Sequence, residues 1–294
     1  MAPQLETIPR IISMTNQVGG SGKSTSGVNI GATCAEWGYR TLVVDADDQC
    51  DASVALGYMN PDSIEGQKTI FDCLTDKAVK LCEAIVPAFA GPAGAEGSKR
   101  LENLDLVLGS SEMENAEQYL TTEMGRELWL KRLLGQVKGD YDVIIIDCPG
   151  NLGLVVIGAI LACDEVVACI KPGFKELRGL TRIEQKIEAV QEQFGEYGAH
   201  ATMTGIILVD VPTSRSQGAV WDDGKNMAVQ TYGDLVLRGY AEDGEKERYG
   251  VRRSTKIPES YAHQKVLLQY DRAGEATYDY VEISKGLGFS RQGR

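Results

Sequence analysis

A chain of 294 residues with 42 acidic and 30 basic side chains, net charge −12, can bury a large core without disulfides or metals and is too negative to attract nucleic acid over its whole surface. Any contact with DNA has to be local. The seven cysteines, at 34, 50, 73, 82, 148, 163 and 169, form no C-x-x-C pair and no zinc spacing, which fits reduced thiols of a cytosolic protein, mostly small core residues.

In chain order, the first nine residues lack a basic region followed by an apolar stretch, so a secretory leader is not expected. The apolar run 10–15 reads as a strand, and it leads directly into Gln-Val-Gly-Gly-Ser-Gly-Lys-Ser-Thr at 17–25. Gly19, Gly20 and Gly22, with Ser21 between them, allow backbone conformations in which successive N–H groups face one anion. Lys23 can then reach the outer phosphates of a nucleotide, the Ser24 hydroxyl can bind Mg²⁺, and a helix over 24–37 adds its positive end. Gln17 holds the position of the first glycine in the common G-x-x-x-x-G-K-[ST] pattern, so this loop departs from it.

The run 41–46 predicts a second strand, with Asp45 and Asp47 at its end on one face; one can hold a metal-bound water while the other orients an attacking water, and Asp48 suits a turn or helix cap. Residues 87–100, rich in Gly, Ala and Pro, read as an exposed loop before a strand at 104–108. A buried strand at 142–147 ends in Asp147, placed to contact Mg²⁺ through water. The apolar run 152–163 is too short for a bilayer and reads as a buried helix. Strands at 165–170, 204–210 and 251–257 follow, with an irregular segment at 212–226 placed to cover a nucleotide. Strands that are apolar nearly throughout, alternating with amphipathic stretches, predict one doubly wound α/β domain over 1–294, a mostly parallel sheet with helices on both faces. A basic cluster at 246–256 is the local candidate for DNA contact. The chemistry that fits the three acidic and glycine-rich motifs together is Mg²⁺-dependent nucleoside triphosphate hydrolysis.

With these motifs in order, the chain resembles the ParA family of partition ATPases, within the ParA and MinD group that carries a deviant Walker A loop. The resemblance runs nearly end to end: the Gly-Gly-x-Gly-Lys-Ser-Thr loop, Asp45-Ala-Asp47-Asp-Gln49, 103–108, Asp147-Cys-Pro149, 164–167 with Gly179-Leu180, and Ile257-Pro258. It implies ATP and Mg²⁺ as ligands, held by the loop 19–25 and Pro258. By position, Lys23 is the phosphate lysine, Ser24 the metal ligand, Thr25 an α-phosphate contact and Asp47 the orienter of water. Asp45 and Asp147 form the outer shell of the metal. It further implies a homodimer with ATP, non-specific DNA binding, a ParB-like centromere-binding partner that stimulates slow hydrolysis, and a cytoplasmic, nucleoid-associated protein without membrane attachment. Arg215, Arg252, Arg253 and Lys256 are the DNA-binding candidates. The family's signature lysine, just before Gly-Gly, is Val18 here, and Lys171, Lys175 or Arg178 can replace its charge. A MinD-like membrane switch would need an amphipathic C-terminal helix, and the tail 284–294 has two large apolar residues only. A P-loop tyrosine kinase is suggested by Tyr270, Tyr278 and Tyr280, which read better as packing residues. An iron–sulfur role lacks a cluster context at Cys148 and Cys163.

Overall fold

The computed structural model describes residues 8–17, 19–213, 219–242 and 247–293. Seven strands form one sheet: β1 (Arg10–Thr15), β2 (Thr41–Asp45), β3 (Ile85–Ala90), β4 (Lys99–Val107), β5 (Val143–Asp147), β6 (Glu165–Ile170) and β7 (Thr202–Leu208), in the order β3-β4-β2-β5-β1-β6-β7. All neighbours are parallel except β3, which runs antiparallel to β4.

The central strands are apolar at every position because both faces are covered. In β5, Ile144 and Ile146 pack into one core and Val143 and Ile145 into the opposite one. The first core is roofed by α3 (Ile70–Thr75), α4 (Ala116–Thr122), α5 (Trp129–Leu134), α6 (Leu154–Ala162) and α7 (Phe174–Phe194). The second lies under α1 (Lys23–Glu36), α2 (Asp51–Ala55) and the C-terminal helices α9 (Lys256–Ala262), α10 (Leu267–Tyr270) and α11 (Glu275–Gly286); α8 (Ala219–Tyr232) flanks α7. Helix α1 sits so close to the sheet that a Cβ on Gly31 would meet the Val43 side chain at 3.1 Å. Asn29 ties α1 to α10, its Oδ1 accepting from the Leu267 N–H at 2.8 Å.

Three expectations are corrected. Residues 87–100 are not an exposed loop: 87–90 complete an edge strand, 99–100 open its antiparallel partner, and only 91–98 turn between them. The Pro87 and Ala content hid this strand, since proline is tolerated at an edge where no ladder hydrogen bond is required of it. Residues 251–257 are not a sheet strand. They join the sheet region through one isolated bridge, Val211 with Arg252, and Lys256 already begins α9, whose first turn accommodates Pro258. The segment 212–226 is irregular only in part, because α8 starts at Ala219. Residues 152–163, read as a buried helix, contain α6. Among the described residues no helix is long and apolar enough to cross a membrane.

Candidate functional site

The parallel strands bring their carboxyl ends to one edge of the sheet, the usual ligand edge of such folds. Their register sets the site. Asp147 at the end of β5 pairs with Met14 of β1 on one side and with Asp45 of β2 on the other. Thus Asp147 stands directly beside the strand that runs into the glycine loop, and Asp45 stands one strand further away.

Gly20 and Gly22 both have left-handed backbones, φ 68° and 72°, which a side chain would strain. Gly22 also packs against Val209, whose side chain would lie 3.3 Å from an added Cβ. The N-terminus of α1 has no side-chain cap and no acid in its first turn, so its first amides face the cleft with nothing of the protein's own to neutralise them. Lys23 is 5% exposed and has no ion pair among the described residues. The Ser21 hydroxyl is buried without a hydrogen-bond partner.

Facing this loop are the acids. Asp147 is fully buried, and neither of its carboxylate oxygens has a hydrogen-bond partner. Burial pushes its pKa well above the ordinary carboxylate range and the charge of Asp45 adds to this; Ser24 and Lys23 beside it act in the opposite direction. Asp45 is raised to about 7, first by burial and then against the Ser53 hydroxyl and N–H. Asp47 lines the cleft and is raised to about 6, again by burial first. A buried cation and buried carboxylates without partners are costly unless a ligand completes them.

Residues 19–25 and Asp47 line a cleft of about 910 Å³ that also includes Asp48, Gln49, Asp51, Gly150, Lys171, Val209, Asp210, Val251, 253–255, Ile257, Pro258 and Tyr280, whereas Asp45 and Asp147 are buried and do not line it. The cleft has the size of a nucleotide site, and Ile257 and Pro258 line it together with the loop. Among the described residues no cluster of three or more His, Cys, Asp or Glu side chains forms a closed metal cage. The donor set fits Mg²⁺, which keeps waters and shares its shell with phosphates: the Ser24 hydroxyl would bind it and Asp147 and Asp47 would hold its waters.

The sequence-level candidates divide sharply. Gly19, Gly20, Ser21, Gly22, Lys23, Ser24, Thr25, Asp47 and Pro258 all line the cleft. Asp45 does not share a strand face with Asp47, because β2 ends at Asp45 and the chain turns away. Its Oδ2 is committed to Ser53, accepting from the N–H at 2.8 Å and from the hydroxyl at 2.6 Å, while Oδ1 has no partner. Gly109 presses on this carboxylate so closely that a Cβ would lie 2.7 Å from it. Asp45 therefore braces α2 beneath the site and reaches Asp147 through charge.

Arg252 is corrected as a DNA-binding candidate. It is buried and bound to Asp279 through Nε and Nη2 (2.8 and 2.9 Å), to Glu275, and to the Tyr240 carbonyl. Arg253 is exposed, paired with Asp210 and lines the cleft; Lys256 is exposed and paired with Glu259 at 2.8 Å. Val18 and Arg215 lie outside the described residues. Of the replacement cations only Lys171 lines this cleft; Lys175 and Arg178 line a separate groove between α7 and α8. Sequence reading missed Asp210 and Tyr280 in the cleft wall. Asp210 closes an apolar strand run just as Asp147 does, and that was the available signal; Tyr280 gave none, since it reaches the cleft from the last helix.

The profile of an AAA domain family matches residues 9–197. The chain is 30% identical over 276 residues to the sporulation initiation inhibitor protein Soj of Bacillus subtilis, covering 94% of this chain and 97% of that protein. It is 29% identical over 282 residues to the chromosome partitioning protein ParA of Myxococcus xanthus, covering 96% and 88%. A solved structure of a variant of Cyanothece McdA in complex with ATP superposes with a TM-score of 0.77 at 17% identity, over 98% of this chain and 100% of the other, a likeness of fold.

Proposed function

This chain belongs to the ParA family of partition ATPases, and from that premise we propose that it binds ATP with Mg²⁺ in the cleft, hydrolyses it slowly, and acts as a nucleotide-driven switch in plasmid or chromosome partition. The observation that carries this reading is the buried, unpaired Lys23 set opposite a buried Asp147 with no hydrogen-bond partner, in a fold whose strand order places them at one edge. A triphosphate with its divalent ion supplies the missing partners of both.

In this reading the amides of 19–24 hold the phosphates, Lys23 neutralises charge that develops during transfer, and Asp47 orients water. Bound Mg²⁺ would neutralise the β and γ phosphate oxygens. Thr25 and Pro258 position the rest of the nucleotide. With Val18 at the signature position, Lys171 is the cation best placed to substitute, since it alone of the replacement candidates lines the cleft. The ATP-bound form dimerises, binds DNA without sequence preference through Arg253, Lys256 and Arg215, and is reset by a centromere-binding partner. The whole chain acts as one unit.

A membrane-bound switch has no support from the C-terminal segment. Its two large apolar residues, Leu287 and Phe289, are 5% and 4% exposed, and the Phe289 ring packs on Tyr39 and under Arg10.

The test is calorimetry of Mg-ATP binding together with sizing of the protein with ATP, with ADP and with neither. Binding in the wild type, its loss in Lys23→Ala, and dimers only with ATP are expected. No heat in the wild type would end the proposal.

A further inference from the structure

At the cleft wall that begins with Val209, the residue packed against Gly22 of the glycine loop, one carboxylate holds two cations. Asp210 accepts from Arg253 Nε at 2.7 Å and Nη2 at 3.1 Å, and its Oδ2 lies 3.5 Å from Lys171 Nζ. All three residues line the cleft. Their side chains remain partly in solvent, 42% exposed for Lys171 and for Arg253 and 32% for Asp210. Pairs this exposed are weak, because water screens both charges, so a multiply charged anion entering the cleft can outcompete the carboxylate for either cation.

The backbone around this cluster is held firmly. Asp210 has a left-handed conformation, φ 57°, uncommon for a residue with a side chain and best tolerated by Asp and Asn. The amides on either side of it are bonded, Val209 N–H to the Ile170 carbonyl at 2.8 Å and Val211 N–H to the Val251 carbonyl at 3.0 Å. Arg253 is pinned by its own N–H to the Val211 carbonyl at 2.8 Å, and its neighbour Arg252 is anchored in the buried pair with Asp279. Fixed backbones with weakly held, exposed side chains describe a place where partners can be exchanged without moving the fold.

We propose that Asp210 is an exchangeable counter-ion for the nucleotide: it holds Lys171 and Arg253 in the cleft wall and yields them to the phosphates when a nucleotide enters. The inference rests on the nucleotide site of the preceding section and adds its regulation. Asp210 competes with the ligand, so it lowers nucleotide affinity and keeps the two cations from being captured by other anions. It is a positioning residue for those cations and need not touch the nucleotide.

The test uses Asp210→Asn, which removes the charge and tolerates the same backbone conformation. Calorimetric titration of Mg-ADP should show binding about three- to tenfold tighter than the wild type at low salt, with the gain shrinking at high salt. The gain should vanish when Asp210→Asn is made together with Lys171→Gln and Arg253→Gln. Unchanged or weaker binding by Asp210→Asn overturns the inference, as does a gain that persists in the triple variant, which would indicate simple repulsion. Should the Asn variant fail to fold, Asp210→Gly, free at positive φ, is read in the same way. Wild-type protein that binds no Mg-ADP at all refutes the nucleotide site itself, whereas wild-type binding without an Asp210 effect refutes only the counter-ion.

Discussion

On the wall of the cleft formed by the ends of β1, β2 and β5, Lys23 has no ion pair among the described residues, and beneath that wall Asp147 and one oxygen of Asp45 are buried with no hydrogen-bond partner among them. On the wall formed by β6, β7 and 250–258, Lys171, Asp210, Arg252, Arg253 and Lys256 are all paired within the chain. The first arrangement is unfavourable alone and becomes favourable only when something of complementary charge arrives. The second is self-sufficient. Substitutions should therefore harm ligand binding on the first wall and folding on the second, except where a pair is exposed enough to exchange.

The largest effect that separates the walls is at Arg252. Arg252→Ala leaves Asp279, 1% exposed at its side chain, buried without its cation, and should cost about 3–5 kcal/mol in a denaturant titration. Arg253→Ala, at its exposed neighbour, should shift the denaturation midpoint far less, because a solvated pair adds little. Equal losses would break the distinction between buried and exposed pairs on that wall.

Next comes Lys23→Ala. Hydrolysis in a phosphate-release assay should fall by about 10²- to 10³-fold, with at most a small change in melting temperature, because the lysine makes no ion pair among the described residues. A protein that melts clearly earlier would show that Lys23 is structural.

A smaller effect follows from acidity. Asp45 and Asp47 rise from 3.8 to about 7 and about 6 when folded, so the folded protein holds protons that the unfolded chain has released. Stability of the metal-free protein should then fall as pH rises from about 4 to about 7. Asp147→Asn, which removes one of the coupled charges, should flatten this fall, and Mg²⁺ with nucleotide should oppose it. Thermal melts across that range would show a constant difference between wild type and variant if the acids do not interact.

The smallest effect concerns DNA. Lys256→Glu should weaken binding uniformly across sequences and lower the slope of log affinity against log salt by about 1, measured by fluorescence anisotropy. An unchanged slope would remove Lys256 from the contact.

Much of the first wall was readable before the fold was known. The glycine loop and Asp147 announce themselves because a phosphate nest needs left-handed residues in succession, and a buried strand ending in an acid is unusual; both are local patterns. Arg252 was misread because charge in sequence says nothing about depth. Its partners Glu275 and Asp279 lie in a helix more than twenty residues later, and that helix packs beside it only in the folded chain. The edge strand at 85–90 was hidden for a related reason, since its pairing with β4 outweighs the weak local preference of Pro and Ala.

The sequence by itself determined the alternation of apolar strands and helices, hence a doubly wound sheet, and it singled out the loop 19–25 and Asp47 that line the cleft, because those patterns depend on backbone freedom and side-chain chemistry within a few residues. Tertiary structure alone decided which charges meet. It placed Asp147 beside Asp45 across two strands, sank Arg252 against α11, and gathered Lys171, Asp210 and Arg253 from three separate segments onto one rim, since the energy of a charge depends on burial and on neighbours that are remote along the chain.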